Sequence, residues 1–110
     1  MALAEASYRI TAEFPRDEAY GMTAQIRRAA VSIPANIAEG HGRESTRSFV
    51  QFLRMAQGSL KELETHLLLA QRVSVTTIEA AEPLLRECDE IGRMLRAMIR
   101  TLQERDAGDG

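Results

Sequence analysis

Between Phe49 and Ala70 the apolar residues Phe49, Leu53, Ala56, Leu60, Leu63, Leu67 and Ala70 recur at alternating steps of four and three. That is the heptad repeat of a helix that buries one continuous seam against its neighbours. Phe52, Met55, Leu68 and Leu69 widen the stripe beyond a single seam, so this helix is expected to touch more than one partner. It opens at Ser45 or Thr46, and Gly58 within it permits close approach by another helix. Everything else in the chain has to supply surfaces for this seam.

Three other stretches do so. From Ala2 to about Glu13, Leu3, Ala6 and Ile10 keep helical spacing, with Phe14 at the end and Pro15 as the stop. Asp17 is a plausible N-cap for a second helix from about Glu18 to Glu39, whose Met22, Ile26, Ala30, Ile33 and Ile37 form one apolar face. Pro34 lies inside it and predicts a kink near Ala30–Ile33, because its ring presses on the Ala30 carbonyl and it has no amide to donate. Asn36 is expected to donate to carbonyls freed there. Gly40 is read as the C-terminal cap and Gly42 as keeping the corner loose. After a link near Val73–Thr76, with Thr76 and Glu79 as a capping box, Leu84, Cys88, Ile91, Leu95, Met98 and Leu102 mark a fourth helix. Pro83 predicts an irregular first turn or a kink in it. No strand pattern, repeat or low-complexity tract is present. Four helices with short links predict an all-α, up-down-up-down four-helix bundle, a single domain over residues 1–105 with a tail, 106–110, expected to fray.

The composition narrows the class. The chain has 110 residues, 45% hydrophobic and 27% charged, with no Trp, so its core has to be aliphatic. Its formal net charge is −2, which does not mark the whole chain as a polyanion binder. Thirteen of the fourteen basic residues are arginine, the exception being Lys61. Arginine suits bidentate contact with carboxylate or phosphate. One cysteine excludes an internal disulfide and a cysteine-based metal cluster. No apolar run is long enough for a membrane span, and the start has no secretory pattern, so a cytoplasmic location is expected.

The run QIRRAAVSIPANIAEGHGR, residues 25–43, resembles the four helix bundle protein family, also called the 23S rRNA-intervening-sequence proteins. FPRDEAYGM, SFVQFLRMAQGSLKELETHL and EIGRMLRAMIRTL are similar to the same family, and the likeness covers about residues 8–102. It implies a left-handed bundle that assembles as a ring-like homopentamer. Reading frames of this family occur within intervening sequences of bacterial large-subunit rRNA genes, and the nucleic-acid-binding accessory protein of diversity-generating retroelements looks like a relative. The resemblance carries no catalytic residues. The family's first helix is usually longer than the lead before Tyr8 here, so either this chain begins late or the helix is trimmed, and part of the seam is expected to lack a partner.

Little points to catalysis. Four-helix bundles hold two irons with Glu and Glu-x-x-His ligands, but His66 follows Glu62 by four and Glu64 by two, and His41 follows Glu39 by two. No metal, cofactor or small-molecule substrate is expected. His66 is read as a rim residue, His41 as a loop residue, and Cys88, on the seam, as a small core hydrophobe. No enzyme is expected.

The arginines are the candidates for a site. Arg86, Arg93 and Arg100 lie seven apart with Arg96 beside them, an exposed ridge suited to phosphates along a nucleic acid. The competing reading is a solvated face with ion pairs Glu82–Arg86, Arg86–Glu90 and Asp89–Arg93. Arg43 and Arg47 bracket the start of helix three and form a second candidate phosphate corner, against ion pairing with Glu39 and Glu44; Arg54 belongs to the same group. Of Arg27 and Arg28, one is expected to pair with Glu62 or Glu64 and the other to face solvent or a neighbouring subunit. Phe52, Met55, Leu68 and Leu69 are candidates for the subunit interface. Two functions are compatible with this pattern: an oligomeric, non-enzymatic protein that binds RNA or DNA backbones through Arg93, Arg96, Arg100, Arg43 and Arg47, or a scaffolding oligomer whose partner is another protein.

Overall fold

The computed structural model describes residues 2–109 and, over them, is all helical. Helix α1 spans Ala2–Ala12, α2 Ala24–His41, α3 Thr46–Arg72 and α4 Ile78–Asp109. They pack in cyclic order, α1 on α2, α2 on α3, α3 on α4 and α4 on α1, with α2 against α3 the most extensive contact. The result is a four-helix bundle with a long axis of 52 Å.

The heptad seam is the core. Leu53, Ala56, Leu60, Leu63, Leu67 and Ala70 are buried, as are Ile26, Ala29, Ala30 and Ile33 of α2 and Ala81, Leu84, Cys88, Leu95 and Ile99 of α4. Each large side chain among them withdraws apolar surface worth about 1.5–3 kcal/mol. Phe49 is only half-buried, although it opens the heptad pattern, and the neighbouring Val50 is buried.

The entry to α2 departs from the expected capped start. A 3-10 turn, Arg16–Glu18, runs into a π-helical turn, Ala19–Thr23, before α2 begins. Asp17 therefore sits within a helical turn ahead of α2. Thr23 itself is helical and makes no side-chain cap bond, since the turns before it already occupy the leading positions.

The glycines at the far end of α2 also trade roles. Gly42 is the cap residue, at φ −78°, and its amide donates to the Glu39 carbonyl at 3.2 Å. Gly40 is buried, and a Cβ there would lie 2.7 Å from Phe49 Cδ1 and 3.0 Å from Phe52 Cβ. Its missing side chain lets α3 approach, so Gly40 is a packing residue. His41 is the last residue of α2 and its ring tilts against Phe49 at 4.8 Å.

Pro34 stands inside α2, which continues to His41. Asn36 Nδ2 donates to the Ser32 carbonyl at 2.9 Å and to the Ser32 hydroxyl at 3.0 Å, so the carbonyl it serves is not that of Ala30. Ser32 and Ser59 hydroxyls bond at 2.8 Å across α2 and α3.

At the start of α3, Ser45 accepts from the Ser48 amide at 3.0 Å, a cap worth about 1 kcal/mol. The helix ends in a Schellman motif. Val75 donates to the Ala70 carbonyl at 2.8 Å and Ser74 to that of Gln71 at 3.2 Å, with Ser74 left-handed at φ 62°. Thr77, not Thr76, caps α4: its hydroxyl accepts from the Ala80 amide at 3.1 Å. The Thr76 amide is already committed to the Ala70 carbonyl in the turn, so the Thr76–Glu79 box does not form. Pro83 lies inside α4, which runs on to Asp109.

Arg27 turns to α1. Its Nε donates to Thr11 Oγ1 at 2.8 Å and its guanidinium lies 4.7 Å from the Tyr8 ring centre, which ties α1 to α2. Thr11 in turn donates to the Ser7 carbonyl at 2.7 Å. Arg28 takes the expected pairing, with Glu62 at 2.8 Å.

Two glycine substitutions separate packing from propensity. Gly58→Ala meets nothing within 4 Å and should stabilise the protein by about 0.5–1 kcal/mol. Gly40→Ala gains the same propensity but drives its methyl into Phe49 and Phe52, and should destabilise by about 1–2 kcal/mol net. Urea denaturation of both variants checks the opposite signs.

Candidate nucleic-acid interface

Heptad helices bury one stripe and leave residues at a fixed offset on the outside, so basic residues seven apart form rows. On α4, Arg86, Arg93 and Arg100 make one row with Arg96 alongside. Arg93, Arg96 and Arg100 are exposed. On α3, Arg47, Arg54 and Lys61 are also seven apart, and Arg54 and Lys61 are exposed. The two helices are neighbours, and near their middle a Cβ on Gly92 would be 3.5 Å from Leu60 Cδ2. Toward the α4 C-terminus a groove of about 240 Å³ is lined by Arg47 and Arg54 from one side and Gln103 and Asp106 from the other. The α3 row thus runs beside the α4 row on one face of the bundle.

Carboxylates neutralise part of this face. Of the three ion pairs expected on α4, only Asp89–Arg93 forms, at 3.0 Å with both side chains well exposed. A pair in that setting is worth at most about 1 kcal/mol and yields readily to a competing anion. Arg47, Arg54, Arg86, Arg96 and Arg100 have no carboxylate within ion-pair distance among the described residues.

Arg43 stands apart. It pairs with Glu39 at 2.9 Å and its guanidinium lies over the Phe52 ring at 4.8 Å, on the α2/α3 side. The structure therefore sets Arg47 and Arg54 across a groove from Gln103 and Asp106 of α4, and leaves Arg43 elsewhere. Glu44 makes no ion pair with either arginine of the corner among the described residues. Arg54 and Lys61 complete the α3 row. Their spacing from Arg47 is the sequence signal for them, one that grouping Arg43 with Arg47 as a corner obscures.

The apolar candidates also divide. Met55, Leu68 and Leu69 are exposed, at 54%, 48% and 44%, whereas Phe52 is half-buried under Arg43. Phe52, Met55, Ser59, Glu62, His66, Leu69 and Val73 keep steps of three and four, a second stripe along the α2 side of α3. Leu68, next to Leu69, points about 100° away from it.

No group of three or more His, Cys, Asp or Glu among the described residues could hold a metal ion. His66 Nε2 is 3.9 Å from Glu62. No helix is long and apolar enough to cross a membrane. Cys88 is buried, and burial pushes its thiol from 9.0 up to about 12, with the Glu64 and Glu87 charges adding to the effect. It is not a nucleophile at neutral pH.

An all-α bundle with an arginine face is the class these features define. Residues 1–97 match the model of the family described as 23S rRNA-intervening sequence protein, and the chain belongs to that family. Among solved structures it is similar to a protein of unknown function from the S23 ribosomal protein family of Bacteroides thetaiotaomicron VPI-5482. The two are 26% identical with a TM-score of 0.75, over 88% of this chain and 97% of that one. None of the curated proteins compared with it matches.

The Cys88 thiol makes stability depend on alkaline pH. The folded state holds it neutral while the unfolded chain ionises it above about 9, so the unfolded state binds fewer protons there. Stability should fall as pH rises from 9 towards 12, by about 1.4 kcal/mol per pH unit from this group. Denaturation of the native protein and of Cys88→Ala across that range checks this: the variant should lose that part of the slope.

Proposed function

We propose that this protein is a non-enzymatic, oligomeric accessory protein that binds RNA or DNA along the backbone. The observation that carries the reading is the pair of basic rows, Arg47–Arg54–Lys61 and Arg86–Arg93–Arg100 with Arg96, side by side on α3 and α4. Arginine forks suit phosphate oxygens, and residues spaced along helices contact a backbone without reading bases. The family's name, which refers to an intervening sequence of 23S rRNA, agrees with a nucleic-acid partner. Arg43 contributes from the neighbouring side.

Assembly multiplies a modest face. A homopentameric ring, the state implied by the resemblance, would use the Met55 and Leu69 stripe of α3, with Leu68 on a separate flank free for a second contact. Five copies of one weak site bind far more tightly than one through effective concentration.

Fluorescence anisotropy of labelled single- and double-stranded RNA and DNA tests the reading. Affinity should fall steeply with salt, with a log–log slope of about −0.7 for each phosphate contacted on a single strand. Replacing Arg96 and Arg100 by Glu should abolish binding and leave the oligomer intact. No binding at low salt would discard the nucleic-acid reading in favour of a scaffold for another protein, docked on the exposed apolar stripe.

The ring is tested separately. Met55→Arg with Leu69→Arg should lower the mass by light scattering while helical content is retained, because both side chains are about half exposed in the single chain. An unchanged mass would exclude this stripe as the ring contact.

A further inference from the structure

The groove where α3 meets the last turns of α4 holds a charge arrangement that phosphate binding alone does not use. It lies away from α1, whose main packing is on α2 and α4. Its volume is about 240 Å³, room for a single base. Arg47 and Arg54 of α3 form one wall and Gln103 and Asp106 of α4 the other, with the buried Val50 between them. Asp106 is exposed and makes no ion pair with either arginine among the described residues. On a face that only followed a backbone this carboxylate would cost affinity, since it repels the phosphates that the arginines attract. A carboxylate on one wall and guanidinium forks on the other suit a ligand with two adjacent donors on one edge and two adjacent acceptors on another.

We infer that this groove takes one unpaired guanine of the bound strand, an inference that rests on the nucleic-acid reading above. Guanine is the base with the matching pattern. Its N1–H and N2 amino group form a two-donor edge for the Asp106 carboxylate. Its O6 and N7 form a two-acceptor edge for one arginine fork, Arg47 or Arg54. Adenine and cytosine each offer a single amino group beside an acceptor, and uracil a single imide N–H between two carbonyls. The carboxylate occupies the Watson–Crick edge, so the base has to be unpaired. The second arginine is left for the adjoining phosphate, and Val50 gives the ring an apolar contact. The groove thus adds one position of base choice to a face that otherwise follows the backbone.

Anisotropy of short labelled oligouridylates with one central guanine, adenine, cytosine or no replacement tests the assignment. The guanine strand should bind about tenfold tighter than the other three. Inosine, which lacks the N2 amino group, and 7-deazaguanine, which lacks N7, should each lose most of that preference. Asp106→Asn keeps the size of an exposed side chain and should leave the thermal melt unchanged. It should bind the guanine and inosine strands alike, while the all-uridine strand binds no worse than to the native protein. Equal binding of all four strands by the native protein, or a guanine preference retained by Asp106→Asn, overturns the guanine groove and leaves the backbone reading standing. No strand bound at low salt overturns both. GMP that displaces the guanine strand as well as the unlabelled strand does would assign the groove to a free guanine nucleotide and overturn its assignment to a strand.

Discussion

The contact on which the other packing depends is the approach of α2 to α3 at Gly40. With no side chain there, Phe49 and Phe52 sit against the α2 backbone at distances a methyl would not allow. Polar contacts further along align the rest of the hairpin: Ser32 bonds Ser59, and Arg28 reaches Glu62. They add little energy at the surface, but they exist in one register only. A shift of one residue would separate all of them and carry Leu53, Ala56 and Leu60 off the α2 face. Once α3 is placed in this way, its other flank is the seat for α4, and the two basic rows come to lie on one side.

The helices and their buried seams are legible in the sequence because a heptad repeat is a local statement about which face is dry. Leu53, Ala56, Leu60, Leu63 and Leu67 identify themselves as core without knowledge of the partner. Contacts between residues far apart in the chain do not show in the same way. Gly40 and Gly42 look alike beside a helix end, and only the position of Phe49 separates a packing glycine from a cap. Thr76 and Thr77 are equally good caps by residue type, and the claim of the Ala70 carbonyl on the Thr76 amide decides between them. Arg27 is not told apart from Arg28 in the sequence because nothing in its own helix predicts Tyr8 and Thr11 as partners. At the site, the α4 row is visible by its spacing. The α3 row becomes a partner to it only through the register of the two helices, which spacing within either helix does not contain.

The lopsided use of the bundle is a common thread. The α2/α3 pair is tightly interlocked and carries its own polar register. The α3/α4 side carries the arginines, and the α1 side is the least filled.

The bracket of Arg27 on Thr11 and Tyr8 has a bearing on motion. Arg27 to Thr11 is the one side-chain hydrogen bond between α1 and another helix among the described residues, and α1 makes slighter contacts with α2 and α4 than α2 and α3 make with each other. The buried apolar side chains of α1 itself are few, Leu3 and Ile10, so it is the part of the fold able to open by itself. Amide protons of α1 would then exchange with solvent through a small, separate fluctuation, while those of α2 and α3 would wait for unfolding of the whole.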